Sequence, residues 1–205
     1  NSAVGYGALD ANTTGGNNSA VGYGALGTNV AGDQSVAVGY EALLTQNPSG
    51  NVDMNNTAVG YKAGRELTTG TQNTLIGSGA GGAITTATNN TIVGYVAGDA
   101  ITTGAQNTAL GSSALGANTT ADNNAAFGYN TLSVNTTGAS NNAFGAHALD
   151  ANTTGADNSA FGHNALTENT TGASNVAVGA LALDANTTAS NNSAVGYGAL
   201  GANTT

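Results

Sequence analysis

One glycine recurs along this chain at a near-constant interval, and that interval limits what the chain can fold into more than any other feature. With Gly5 as the fifth residue of a unit, Gly22, Gly39, Gly60, Gly77, Gly94, Gly111, Gly128, Gly145, Gly162, Gly179 and Gly196 take the same place. The spacing is 17 everywhere except 21 between Gly39 and Gly60. The 205 residues therefore divide into twelve units, one carrying four extra residues and the last stopping at position 14. A unit of this kind cannot bury its apolar groups alone and gains a core only by stacking on its neighbours. Seventeen residues dense in Gly and Asn are too few for a helix pair and match one coil of a parallel β-solenoid. The expected fold is thus all-β, a β-roll or β-helix of twelve 17-residue coils, forming a single domain over residues 1–205 with an insertion loop near 45–55. At about 4.8 Å per coil the stack would be a rod of roughly 55 to 60 Å.

The register sorts the residue types. All seven tyrosines, Tyr6, Tyr23, Tyr40, Tyr61, Tyr95, Tyr129 and Tyr197, fall at position 6, and all three phenylalanines, Phe127, Phe144 and Phe161, at position 4. Position 4 is always Val, Ile, Leu or Phe, which marks it as the expected main core position. Position 1 is Asn in every unit but the third, where it is Ser35. Asn1, Asn18, Asn56, Asn73 and their equivalents are expected to form a ladder whose amides hydrogen-bond up and down the stack. Positions 7 and 10 accept almost any residue and are expected to face outward.

Strand-sized runs lie at positions 2 to 5 ("SAVG", "TAVG", "NAFG") and around 8 to 11 ("ALDA", "ALGA"), with turn-forming residues from 12 to 17. Within the first run, position 4 shares a face with position 2, and positions 3 and 5 point the other way. Position 3 is mostly Ala, and position 5 is the glycine of Gly5, Gly22, Gly39, Gly60, Gly77 and Gly94. Such a face is flat and admits close approach of another backbone, from the opposite wall or a neighbouring chain. Position 9 is Leu except for Gly64, Gly81 and Gly98, and in those three units position 12 changes from Asn or Gln to Leu67, Ile84 and Ile101. A lost aliphatic group leaves a cavity unless another fills it, so positions 9 and 12 are expected to share one space.

Composition narrows the function. Only 6% of residues are charged and the net charge is −9, with Lys62 and Arg65 the only Lys or Arg. That balance leaves no basic surface for nucleic acid or anionic lipid. There is no apolar run long enough to span a bilayer as a helix. The absence of cysteine removes disulfides and thiolate metal sites. The eleven acids are scattered without a repeated pair, so no catalytic residues are assigned and the chain is read as not an enzyme, without cofactor or metal.

Several features remain as candidate sites. The tyrosine ladder Tyr6, Tyr23, Tyr40, Tyr61 and Tyr95 could face a ligand, since a tyrosine offers an apolar ring and a polar tip to a sugar. Asn12, Asn118, Asn135, Asn152, Asn169 and Asn186 each begin "NTT", the N-glycosylation signal, although Asn there equally suits a turn. The paired threonines at positions 13 and 14, such as Thr13 and Thr14, invite an ice-binding reading, which alternation opposes because neighbours face opposite ways. His147 and His163 sit in adjacent coils without an evident carboxylate. The insertion "LTQNPSGNVDMN", with Glu41, Asp53, Lys62, Arg65 and Glu66 around it, could serve recognition.

"SVAVG" (Ser35 to Gly39) and "NVAVG" (Asn175 to Gly179), with "NSAVG" and "NTAVG" elsewhere, resemble the head repeats of trimeric autotransporter adhesins. The phrase "NTAVGY.A....TTG" is similar to repeat arrays of tail-fibre-like surface proteins. The resemblance covers every unit, with a longer period than the adhesin repeats. It implies a left-handed β-roll, three chains side by side, and a fibre on a cell surface. The expected function is a structural subunit or shaft segment of an extracellular fibre, partnered with itself end to end or as a homotrimer. An adhesin-type module contacting a glycan or receptor is the alternative. Both ends read as uncapped coils, expected to abut another copy or to belong to a longer array.

Overall fold

The computed structural model describes residues 1–204, and among them there is no helix. Twelve three-residue strands, one per coil, form a single parallel sheet: Ser2–Val4, Ser19–Val21, Val36–Val38, Thr57–Val59, Thr74–Ile76, Thr91–Val93, Thr108–Leu110, Ala125–Phe127, Asn142–Phe144, Ser159–Phe161, Val176–Val178 and Ser193–Val195. Their register pairs each position with itself one coil on, as in Ser2↔Ser19 and Phe127↔Phe144. The chain is a β-solenoid, and every contact in this twelve-stranded sheet joins equivalent residues of successive coils.

The inward face of the sheet is the reverse of the one expected. Position 3 is buried, with Ala20, Ala37, Ala58 and Ala126 at 0% exposure, whereas position 4 points out and leaves Val38 at 37% and Phe161 at 40%. Where position 9 is Leu, the lumen has no room for a second large side chain at position 3. Opposite the position 3 alanines stand the fully buried Leu26, Leu43, Leu115, Leu132, Leu149 and Leu166 of position 9. A Cβ is what fits against them, so the bulkier residue of the strand turns to the outside. The Ala and Gly face does meet a close wall, and that wall is the other side of its own coil.

The second expected strand, around positions 8 to 11, is a series of turns. Positions 7 and 9 take positive φ in coil after coil, for example Lys62 (55°), His147 (58°), Leu26 (50°) and Leu149 (53°). Each such residue with a side chain costs on the order of 1 kcal/mol. Coil-to-coil hydrogen bonds hold them there: the Lys62 N–H donates to the Tyr40 carbonyl at 2.8 Å, and the Leu149 N–H to the Ala165 carbonyl at 3.0 Å. The glycine of position 5 is required twice over. Its φ runs from 127° to 145°, and a Cβ on Gly94 would overlap the carbonyl of Gly111 one coil on.

Positions 9 and 12 do occupy one space, and position 3 shares it. A Cβ built on Gly81 would lie 2.8 Å from Ile84 Cδ1 and 2.8 Å from Leu75 Cδ2; one on Gly98 would lie 2.9 Å from Ile101 Cδ1. Leu75 and Ile92 are large residues at position 3, and they occur in two of the coils where position 9 is Gly. Side-chain volume has moved from one wall to two others, with the lumen kept full.

Two polar ladders run inside. At position 1, Asn141 Oδ1 accepts the backbone N–H of Asn158 at 3.0 Å, and Asn141 Nδ2 donates to the Gly155 carbonyl at 2.9 Å. The pattern repeats from coil to coil, as between Asn56 and Asn73. At position 12, Asn152 Nδ2 donates to Asn135 Oδ1 at 2.8 Å, and Asn169 Nδ2 to Asn152 Oδ1 at 2.9 Å. The third coil departs from both ladders in a matched way. Ser35 is shorter than Asn and Gln46 longer, and Gln46 Nε2 donates to Ser35 Oγ at 3.0 Å while Gln46 Oε1 accepts from Asn56 Nδ2 at 3.0 Å.

The four-residue insertion belongs to the same coil. Val52–Asp53 pairs in parallel with Gly32–Asp33, and Met54 behind it is fully buried. The only methionine thus packs under the insertion beside Gly32, as its flexible apolar chain suits.

Candidate functional site: the outer sheet face and the tyrosine stack

Because position 3 faces in, positions 2 and 4 together form the outward face of a regular parallel sheet. Position 4 supplies Val4, Val21, Val38, Val59, Ile76, Val93, Leu110, Phe127, Phe144, Phe161, Val178 and Val195, all exposed or half-buried. Phe127, Phe144 and Phe161 stack at ring-centroid distances of 4.5 and 4.9 Å. Position 2 adds Val36 and Val176 among Ser, Thr, Asn and one Ala. Position 6, just past the glycine, carries the tyrosines. An unbroken apolar row thus runs along the sheet.

Four tyrosines in consecutive coils form a stack: Tyr6 to Tyr23 at 5.4 Å, Tyr23 to Tyr40 at 5.1 Å and Tyr40 to Tyr61 at 5.3 Å, with interplanar angles of 10° to 16°. Coil spacing sets this distance, since equivalent side chains with the same rotamer repeat at nearly the sheet spacing. The rings cover one another, so the faces a sugar would use are largely taken by neighbouring tyrosines. Tyr95 stands apart, between Ser78 and Ser112 in the adjacent coils.

Charged groups gather beside this stack. Arg65 Nε donates to Glu41 Oε2 at 2.7 Å, Arg65 also pairs with Glu66, and Lys62 Nζ lies 5.0 Å from the centre of the Tyr61 ring. The Arg65 hydrogen bond holds the Glu41 carboxyl below its usual range. A hydrogen bond to Glu41 and the charge of that carboxylate raise the Tyr40 phenol. Hydrogen bonding to Tyr61 raises Lys62 in turn. Asp53, read in the sequence as part of the same group, belongs elsewhere: it pairs with Asp33 and accepts from Gln34 Nε2 at 2.7 Å.

His147 does have a carboxylate partner, contrary to the sequence reading: its Nδ1 lies 2.9 Å from Asp150 Oδ2. The Ser133 hydroxyl donates to the same Asp150 carboxylate. Asp150 sits between serine and histidine, so the imidazole cannot take the serine proton, and the order needed for an activated nucleophile is absent. His163 meets His147 edge-on at 6.5 Å between ring centres. Among the described residues no group of three His, Cys, Asp or Glu side chains converges as a metal site would need.

The "NTT" asparagines lie inside. Asn118, Asn135, Asn152, Asn169 and Asn186 are at 0% exposure, and their Nδ2 atoms are bonded within the lumen, as for Asn118 Nδ2 to the Ala121 carbonyl at 3.1 Å. A glycan on that nitrogen is incompatible with the folded coil; Asn12, half-buried, bonds through its Oδ1 to Asn1 Nδ2 at 3.0 Å. The threonine pairs divide as alternation requires. Position 13 hydroxyls donate to the carbonyl one coil on, Thr85 to Thr102 at 3.2 Å and Thr153 to Thr170 at 3.0 Å, and position 14 alone forms an exposed rank.

No protein-family model matches the chain, and neither does any curated protein or solved structure. The fold and its surface are therefore the ground for a functional reading.

Proposed function

We propose that this chain is a structural shaft segment of an extracellular fibre, in which copies of the solenoid pack side by side through the outer face of the sheet. The observation that carries the reading is the continuous exposed row of position 4. A row of Val, Ile, Leu and Phe side chains about a third or more exposed, flanked by tyrosines, amounts to on the order of 1,000 Å² of largely apolar surface. That exceeds the few hundred Å² of the largest patch on an ordinary monomer and matches the ~800 Å² each partner buries in a stable interface. The coil-to-coil register supports the same reading, since it lines up position 4 of every coil in one continuous stripe that a second such stripe can meet. Each coil has a thin interior of one Leu-sized residue and a few alanines, and lateral burial adds the apolar contact that a narrow lumen lacks.

The resemblance to adhesin head repeats agrees with a homotrimer and a cell-surface location, and axial stacking of further coils would extend the shaft. The adhesin reading has less support, because the stacked rings leave few free faces to a sugar. Sedimentation equilibrium and negative-stain imaging of the protein test the proposal, with Phe144→Glu as the partner variant. Defined oligomers or side-by-side fibres are expected for the parent chain, with dissociation on placing a carboxylate in the stripe. A parent chain that stays monomeric at high concentration would overturn it.

A further inference from the structure

We propose that the stack of Tyr6, Tyr23, Tyr40 and Tyr61 is a site of oxidative cross-linking, where a peroxide-driven one-electron oxidant joins tyrosines of neighbouring coils ring to ring as dityrosine. Coupling of two tyrosyl radicals requires their rings to meet, and here ring lies over ring at 5.1 to 5.4 Å along three successive steps. The oxidant can reach them, since Tyr40, the most covered of the four, is 42% exposed. Competing sinks for oxidising equivalents are missing: the chain has no cysteine and no tryptophan, and its only methionine, Met54, is fully buried.

A proton must leave with each electron, and the stack has a carboxylate for it. Glu41, next to Tyr40 in the chain and anchored by Arg65, carries the carboxylate whose hydrogen bonding and charge raise the Tyr40 phenol. Each phenol loses one electron and one proton, an ortho carbon of one ring bonds to an ortho carbon of the next, and the two ring hydrogens return to the oxygens as aromaticity is restored. In total two C–H bonds become one C–C bond, and one hydrogen peroxide becomes two waters. The product ties coils 1 to 4 together covalently, closing loops of 17, 17 and 21 residues across the insertion-bearing coil. Such staples restrict the unfolded chain in the way disulfides do, in a protein with no cysteine to make one.

The chain contains its own controls. Tyr95, Tyr129 and Tyr197 sit at the same position 6, but Ser78, Ser112 and Ala180 occupy that place in the coils before them. They are exposed like the others and have no tyrosine to couple with in the same chain.

The test treats the folded protein with a haem peroxidase and hydrogen peroxide. The band of single-chain mass is recovered from a denaturing gel, cleaved after acidic residues and mapped by mass spectrometry. Asp10, Asp33, Glu41, Asp53 and Glu66 place each tyrosine of the stack on its own peptide. Dityrosine fluorescence is expected in that band, with links 6–23, 23–40 and 40–61 and none at Tyr95 or Tyr129. Tyr23→Phe keeps a stacked ring and should abolish the first two links while leaving 40–61. A single-chain band without dityrosine, or with Tyr95 and Tyr129 linked as often as the stack, would overturn the inference. Cross-linking found only in bands of higher mass would overturn it too, while leaving side-by-side packing intact.

Discussion

Asn141, just before the strand Asn142–Phe144, is buried and Asn142, its first residue, is exposed, so two consecutive and chemically identical residues give a direct test of the reversed sheet. Asn141 is fully buried. Its Oδ1 accepts the N–H of Asn158 at 3.0 Å and its Nδ2 donates to the Gly155 carbonyl at 2.9 Å. Replacing it with Ala leaves that carbonyl served by Asn152 Nδ2 at 2.9 Å, and leaves Asn158 Nδ2 on the Gly172 carbonyl at 2.8 Å. The Asn158 N–H, however, loses its acceptor in a closed lumen. An orphaned buried donor costs about 1–3 kcal/mol, and the space vacated by the amide adds roughly 1 kcal/mol. Asn141→Ala should therefore lower stability by about 2–4 kcal/mol, whereas Asn142, exposed and without a side-chain bond, should tolerate Ala within ~0.5 kcal/mol. Urea unfolding followed by far-ultraviolet circular dichroism measures both. Hydrogen exchange should show protection lost first at Asn158 and the strand Ser159–Phe161. Equal costs for the two substitutions, or a larger one at Asn142, would refute the assignment of faces.

Other outcomes follow from the same contacts. Gly94→Ala meets both a φ of 145° and the carbonyl of Gly111, and should cost more than about 3 kcal/mol; Gly198→Ala, with open space around it and a φ of 59°, should cost about 1 kcal/mol by the same unfolding assay. Gly81→Leu should destabilise by overfilling the lumen, and the triple change Gly81→Leu, Ile84→Asn, Leu75→Ala should recover most of the loss, because it restores the pattern of coils such as the one holding Ala143, Leu149 and Asn152. Glu41 titrates below its usual range because of Arg65, so the stability it contributes is present above the ordinary carboxylate range and fades as pH falls through the lowered value. Arg65→Gln should move the Glu41 midpoint upward in an NMR titration. Tyr40 has the opposite sign: its raised phenol contributes below the ordinary tyrosine range and loses that contribution as pH climbs through the raised value, and Glu41→Gln should bring the Tyr40 midpoint down in an ultraviolet titration.

The candidate site was partly legible before the fold was known. The period put every tyrosine at position 6, so a ladder could be read directly. It could not show that the rings would lie flat on one another, because that depends on a shared rotamer and on the inter-coil spacing. Arg65 and Glu41 come from different coils, 24 residues apart, and only stacking brings them to 2.7 Å. His147 and Asp150 meet in a turn in which His147 takes a left-handed backbone, which the sequence does not announce at a non-glycine residue.

Repetition made the period, the parallel register and the asparagine ladder readable from sequence alone, since in a stacked array each residue's nearest neighbour is its own equivalent. The exchange of Leu for Gly at position 9, matched at position 12, likewise exposed a shared space through volume alone. Which face of the strand turns inward was decided only by tertiary structure. Alternation separates positions 2 and 4 from position 3 but does not say which set is inside, and the rule that large apolar residues lie within fails when the lumen is one Leu wide. Closing the coil with Leu149 and its equivalents in left-handed conformations leaves room for a methyl group on the facing wall. Ala and Asn therefore fill the inside, and Val, Ile and Phe are displaced to the surface, where a second chain can cover them.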